Sequence, residues 1–251
     1  MKKLFFLALV LVVSLASFSS WPNSRTTRVA YFSIAVKDLE QVAEKLSKAG
    51  FTLKKSHLYK EGFQRGLRVQ SIKLKNGQYF QLVSLNSKDS STYGELAKWY
   101  EKRMNDRPIG LTITLEGMPY SLDQIQKSLK KESISSQYQK YPRYEWLSFP
   151  SESPYAHLTF IDNAYQPQDS DEVLTHDNGA YALAEVGLRP FGETSKWVKI
   201  LTLSGARESQ LSFDTPLFSG KGFIDFVEVK TKKTPLPEPL SLGHIRLKFI
   251  N

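Results

Sequence analysis

The order strand–helix–strand–strand–strand occurs three times along this chain, and that repetition limits the available folds more than any other feature. In the first block, Arg28 to Val36 is predicted as a strand and Asp38 to Ala49 as a helix. Leu39, Val42, Ala43 and Leu46 give that helix one apolar face. Asp38 with Gln41 suits its start, and Gly50 suits a left-handed stop. Strands are expected at Phe51 to Leu58, Leu67 to Lys75 and Gln78 to Leu85, the last two joined by the hairpin signal Asn76-Gly77. A connecting helix is predicted over Tyr93 to Met104, with Thr92 and Glu95 as its capping box.

The second block runs through a strand at Ile109 to Leu115 and a helix at Leu122 to Lys131 capped by Ser121 with Gln124. Strands are then expected at Ile134 to Gln139, Tyr144 to Phe149 and Tyr155 to Ile161. Gln166 to Glu172 is polar, contains a proline and reads as a linker. The third block has strands predicted at Tyr181 to Leu188, Gln210 to Phe213, Phe223 to Lys230 and Leu242 to Ile250, with a helix at Ser195 to Leu203. Pro235, Pro237 and Pro239 cannot donate to a ladder, so the stretch holding them is expected to cross in extended form.

The predicted class is α+β, with repeated βαβββ modules forming a cupped mixed sheet and an additional C-terminal module. One block alone leaves an apolar sheet face uncovered, and two close it around a central cavity. The pair is assigned to residues 28–165, the linker to 166–180 and the third module to 181–251. The third block is expected either to pack outside the pair or to meet its copy in a second chain, which would make a homodimer.

Composition narrows the setting. Lys2 and Lys3 precede the uncharged apolar run Leu4 to Phe18, and small residues follow. This is a secretory pattern over residues 1–20, with cleavage expected near Ser19 or Ser20. The run is shorter than the roughly 20 residues a spanning helix needs. The expected address is therefore secreted or periplasmic, with no stable membrane insertion after cleavage. The 251 residues include no cysteine, which removes disulfides, thiolate metal sites and any cysteine nucleophile. The formal charge of +9 is carried by scattered lysine pairs such as Lys54-Lys55 and Lys130-Lys131. No basic run is interleaved with aromatics, so nucleic acid is not an expected partner.

Three segments resemble one known family. Ser33-Ile34-Ala35-Val36-Lys37-Asp38-Leu39, followed by a helix ending Lys48-Ala49-Gly50-Phe51, is similar to the opening of a glyoxalase-like domain. Asn76-Gly77-Gln78-Tyr79-Phe80-Gln81-Leu82 is similar to the last strand of that domain's first module. Asp177-Asn178-Gly179-Ala180 with Leu183-Ala184-Glu185-Val186 resembles the start of the extra module in longer members. The resemblance, to the vicinal oxygen chelate (glyoxalase/bleomycin resistance/dioxygenase) superfamily, covers most of residues 28–205. Members with metal activity hold a divalent ion with His or Glu from facing strands, which leaves open positions where a substrate's oxygens are polarised. This chain departs from that pattern. Tyr31 stands at the first-strand His position, Gln81 at the Glu position and Gly110 at the equivalent place in the second block. Only His157 offers a ligand there. A phenol is mostly protonated at neutral pH and an amide brings no charge, so no cofactor is expected.

The candidate ligand-binding residues are Tyr31, Arg68, Gln81, Tyr144, Trp146 and His157. Arg68 and Gln70 share a strand face, and if that face lines the cup Arg68 would clamp an anionic ligand through two parallel hydrogen bonds. Tyr144 and Trp146 also share a face and would form an aromatic wall. His176 stands in a turn-forming sequence with Asp177, Asn178 and Gly179. The leading reading is an exported binder of a small organic molecule, anionic ones included, without a catalytic metal. A metal-dependent lyase, isomerase or dioxygenase relying on His157, and an assembly protein using the third block, are the other two.

Overall fold

The computed structural model describes residues 26–86, 90–104, 106–163, 169–189, 192–206, 211–213 and 223–251. The segment read as an export signal lies outside the described residues. Among the described residues no helix is long and apolar enough to cross a membrane.

The protein is α+β, built on a curled mixed sheet with thirteen strands among the described residues. Its centre is β1 (Arg28–Ala35), which pairs in parallel with β4 (Tyr79–Leu85) and antiparallel with β5 (Ile109–Glu116). Outward from β4 lie β3 (Leu67–Lys73) and the two-residue β2 (His57–Leu58). Strand β5 also pairs in parallel with β8 (Leu158–Asn163), and β8 leads through β7 (Tyr144–Ser148) to β6 (Gln137–Tyr141). The first two blocks therefore face each other across the β1–β5 seam.

Alternation along β1 sends Phe32 and Ile34 to one side and Tyr31 and Ser33 to the other. Phe32 stacks on Phe80 at 5.2 Å, and both join Leu82, Ile113 and Leu158 in the main core. Helix α1 (Leu39–Lys48) covers this face with Leu39, Val42 and Leu46. Its N-cap is Asp38, whose carboxylate accepts the Gln41 N–H at 2.8 Å. Helix α3 (Leu122–Lys131) does the same for the second block through Leu122, Ile125 and Leu129, with the complete capping box of Ser121 and Gln124.

Helix α2 (Glu95–Glu101) lies on the opposite, concave face. It starts two residues later than predicted, after a short 3-10 turn at Ser90–Thr92, and its N-cap is Gly94 without a side-chain bond. The reason is close approach. The Gly94 N–H donates to the Arg65 carbonyl at 2.9 Å, and a Cβ on Gly94 would sit 2.4 Å from the Phe63 carbonyl oxygen.

The third block continues the same sheet. Strand β9 (Ala180–Leu188) is flanked by β10 (Leu211–Phe213) and β11 (Ile224–Thr231), and β11 reaches β5 at the pair Ile224↔Gly110. Gly110 carries no side chain because Ile224 occupies that space, 2.5 Å from where a Cβ would stand. The predicted last strand is a hairpin, β12 (Leu240–Leu242) and β13 (Ile245–Ile250), with Gly243 at positive φ between them. The stretch read as a linker contains a short helix, α4 (Asp171–Leu174), and α5 (Thr194–Ser204) runs beside α3 with Lys199 paired to Glu132.

Two polar devices fasten this block to the first. His176 accepts the Thr52 N–H at Nδ1 (3.0 Å), so its proton sits on Nε2 and is donated to the Lys73 carbonyl at 2.8 Å. Gln78, fully buried, donates to the Val29 carbonyl at 2.7 Å and accepts the Leu183 N–H at 2.9 Å. Replacing Gln78 with Leu strands two buried backbone groups and is expected to cost about 3 kcal/mol of unfolding free energy in urea titration. Gln70→Ala removes only a half-buried contact to the Lys54 carbonyl and should cost less than about 1 kcal/mol. Equal losses in the two variants would contradict the fastening role of Gln78.

Candidate ligand cavity

The curl of the sheet encloses a cavity of about 1130 Å³ on the concave face. Its floor follows from the strand registers. The pairs Tyr31↔Tyr79 and Ser33↔Gln81 place four side chains of the first block on this face, and Tyr31↔Thr114 and Ser33↔Thr112 add two from β5. Thr114↔Thr159 brings in β8, and Trp146↔Ile161 with Gln139↔Trp146 carries the same face out to β7 and β6. All of these side chains line the cavity.

The floor is a hydroxyl and amide network. Gln81 Nε2 donates to Ser33 Oγ at 2.8 Å, and the Thr114 and Thr159 hydroxyls are 2.6 Å apart. The Tyr31 ring stacks on Tyr79 at 4.5 Å, and its phenol is hydrogen-bonded to Thr114. Tyr100, reaching down from α2, hydrogen-bonds Ser33 and stands 3.4 Å from the Thr112 hydroxyl. Burial, aided by neighbouring phenols for Tyr31 and Tyr79, raises the ionisation of Tyr31, Tyr79 and Tyr100 above the ordinary phenol range. These rings are neutral at physiological pH.

Helix α2 closes one end of the cup. Ala97, Trp99 and Tyr100 pack on Ala35, Val83, Ile109 and Leu111, forming a second apolar cluster. Arg103 stacks over the Trp99 ring at 4.3 Å and donates to the Ser151 carbonyl at 3.0 Å, which ties α2 to the second block. The other wall is the β6–β7 hairpin, where Tyr141 and Tyr144 stack at 4.6 Å beside Trp146.

Of the six residues singled out in the sequence, Tyr31, Gln81, Tyr144 and Trp146 meet in this cavity. Arg68 lies on the opposite sheet face, where it pairs with Glu40 of α1 and donates to Ser56 at 3.1 Å. His157 lies outside the lining residues. Its ring stacks on Phe223 (5.2 Å) and meets Trp99 edge-on (5.3 Å), and Nδ1 donates to the Leu111 carbonyl at 2.6 Å. It thereby joins α2, β5 and the third block. Ser33, Tyr79, Thr112, Thr114 and Thr159 were not anticipated. Counting in steps of two from Tyr31 along β1 would have reached Ser33.

Hydroxyls, phenols and amides are weak donors for a divalent cation. The positions facing each other across the seam offer hydroxyls, phenols and one amide, none of them charged. Among the described residues no three His, Cys, Asp or Glu side chains come together in a group able to hold a metal.

No family model and no curated protein matches this chain. Among solved structures, a hypothetical protein from Staphylococcus aureus aligns over 89% of this chain and 99% of its own, with a TM-score of 0.59 at 9% identity. Methylmalonyl-CoA epimerase from Streptomyces coelicolor, bound to 2-nitronate-propionyl-CoA, aligns over 57% of this chain and 100% of its own (TM-score 0.40, 18% identity). The Mycobacterium tuberculosis epimerase aligns over 55% and 88% (TM-score 0.39, 17% identity). The staphylococcal likeness shows a shared fold across nearly the whole chain, and the partial epimerase overlaps add nothing about chemistry.

The burial of His157 yields a pH dependence. Desolvation lowers its pKa from 6.5 to about 4, so the folded protein holds it neutral where the unfolded chain would protonate it. Stability is complete above pH 6.5 and falls as the pH drops towards 4, by a few kcal/mol at most. His176, whose pKa burial also lowers, adds a loss of the same sign. Urea titrations at several pH values should show a shallower acid loss for His157→Gln than for the parent. Identical slopes would contradict the buried neutral ring.

Proposed function

We propose that this protein is a glyoxalase-like binding module that holds a small organic molecule in its cup without a catalytic metal. The observation that carries this reading is the character of the floor. Tyr31, Gln81, Ser33, Thr112, Thr114 and Thr159 stand where facing strands converge, and every one is uncharged. Such a surface can orient a ligand through hydrogen bonds, and the Tyr144 and Trp146 rings supply apolar contact. It lacks a group that ionises near neutral pH to serve as general base, and it lacks the charged donors that a polarising cation requires. Residues 1–20 are read as an export signal, so the ligand would be met in a secreted or periplasmic setting.

Saturation-transfer NMR on EDTA-treated protein tests the reading. A mixture of uncharged phenols, amides and sugars at millimolar concentration is expected to contain binders. Their signals should vanish in the Tyr144→Ala/Trp146→Ala double variant, whose fold is checked by circular dichroism. Binding that appears only after Zn, Mn, Fe or Ni is added, or no binder at all, would contradict it.

A further inference from the structure

We infer that the cup takes a neutral saccharide of more than one ring; this deepens the binding reading and rests on it. Four observations point to that class. First, charge is segregated. Every side chain that the strands contribute to the lining is uncharged, and the charged lining residues come from the loop at Glu61, from helix α2 and its C-terminal end, and from Glu152. Within that rim Glu95 pairs with Lys98 at 3.2 Å, and Arg103 is held over Trp99. An anionic or cationic ligand would exchange its hydration for a neutral floor, at a cost that grows with burial.

Second, the hydrogen-bonding groups can both donate and accept. Ser33, Thr112, Thr114 and Thr159 carry rotatable hydroxyls. Gln81 spends one amide N–H on Ser33, and among the described residues its second N–H and carbonyl oxygen are left to the cavity. Gln137 and Gln139 add two more amides on the far wall. Each of these hydroxyls already has a partner within the floor, and a planar aromatic ligand with few polar atoms would leave the remaining capacity of Gln81, Thr112 and Thr159 unused. A ring bearing several hydroxyls can answer them, because each of its hydroxyls also donates and accepts.

Third, aromatic faces stand beside those groups. Trp146 and the stacked Tyr141–Tyr144 pair form one wall. The electron-rich face of such a ring attracts the positively polarised C–H groups on the flat side of a pyranose. Aromatic faces for C–H groups beside amides and hydroxyls for O–H groups match the two surfaces of a sugar.

Fourth, the space is large. A cavity of about 1130 Å³ exceeds the 300–1,000 Å³ usual for one compact ligand. Exposed aromatics from both halves, Phe63 (64% exposed) and Tyr141 (41%), continue the lining to the rim, which extends the path beyond a single ring.

Isothermal titration calorimetry with neutral oligosaccharides separates the outcomes. Xylo-, cello-, malto- and chito-oligosaccharides of two to four units are titrated into EDTA-treated protein beside a parallel set of simple phenols and aromatic acids. At least one oligosaccharide series is expected to bind with millimolar or tighter affinity and to tighten from one unit to three. Gln81→Ala should weaken it about ten-fold, while Gln70→Ala on the opposite sheet face should leave it unchanged. If phenols or aromatic acids bind through Trp146 and no oligosaccharide does, the saccharide inference is overturned and the metal-free binding reading stands. If neither set binds, both fail.

Discussion

The structure depends on the pairing of β1 with β4 on one side and β5 on the other. This three-strand centre separates two chemistries by a single residue step. Phe32, Ile34, Phe80 and Ile113 face the helices, while Tyr31, Ser33, Gln81 and Thr112 face the cup. A slip of one residue in β1 would send phenol and hydroxyl into the core and two large apolar side chains into the cavity. Because the apolar face is fully buried under α1 and α3, that register is strongly specified. The polar floor is thus positioned by packing on the other side of the sheet, and the site inherits the rigidity of the core.

Elements outside this centre decide what the cup can admit. Helix α2 occupies the apolar end of the concave face and leaves the hydroxyl-rich part open. Its position is set by Gly94 against the Phe63 and Gly62 carbonyls and by Tyr100 bonding down to the floor. Among the described residues, none of the third block lines the cavity; the block extends the sheet through β11 and β5. It meets the first two blocks through Leu183 on Gln78, Ile224 against Gly110, Phe223 on His157 and Trp197 against Tyr155, with His176 of the linker beside them. In the same block Asp225, nearly buried, is neutralised by Arg189 at 2.8 Å and Arg246 at 3.2 Å, which holds the β9–β11–β13 face together.

Much of the fold was legible because the local signals agree with the global one. The Asn76-Gly77 turn, the Ser121–Gln124 capping box and the apolar stripes of α1 and α3 each fall where they were expected. Strand β2 is shorter than the sequence predicts, since its chain makes only isolated bonds to β3 before His57, such as the Lys54 N–H to the Ser71 carbonyl. The site was legible in part. Tyr31, Gln81, Tyr144 and Trp146 are bulky or placed by a resemblance, so they drew notice. Ser33, Thr112, Thr114 and Thr159 are small, common residues whose importance lies in their convergence across strands that are distant in sequence. Arg68 shows the limit of alternation: period two tells which residues share a face but not which face is concave. That choice is made by the apolar packing of α1 on the Phe32 and Phe80 side of the sheet, the side on which Arg68 pairs with Glu40.

The proposed occupant of the cup is an uncharged organic molecule held on hydroxyl, amide and aromatic groups with no ion between them. Native mass spectrometry of protein purified from its own source tests this most directly, because it weighs ligand and metal together. The expected result is a non-covalent organic adduct of neutral charge that survives chelator treatment and leaves on denaturation. One equivalent of a divalent ion that accompanies the folded protein and is stripped by chelator would contradict it.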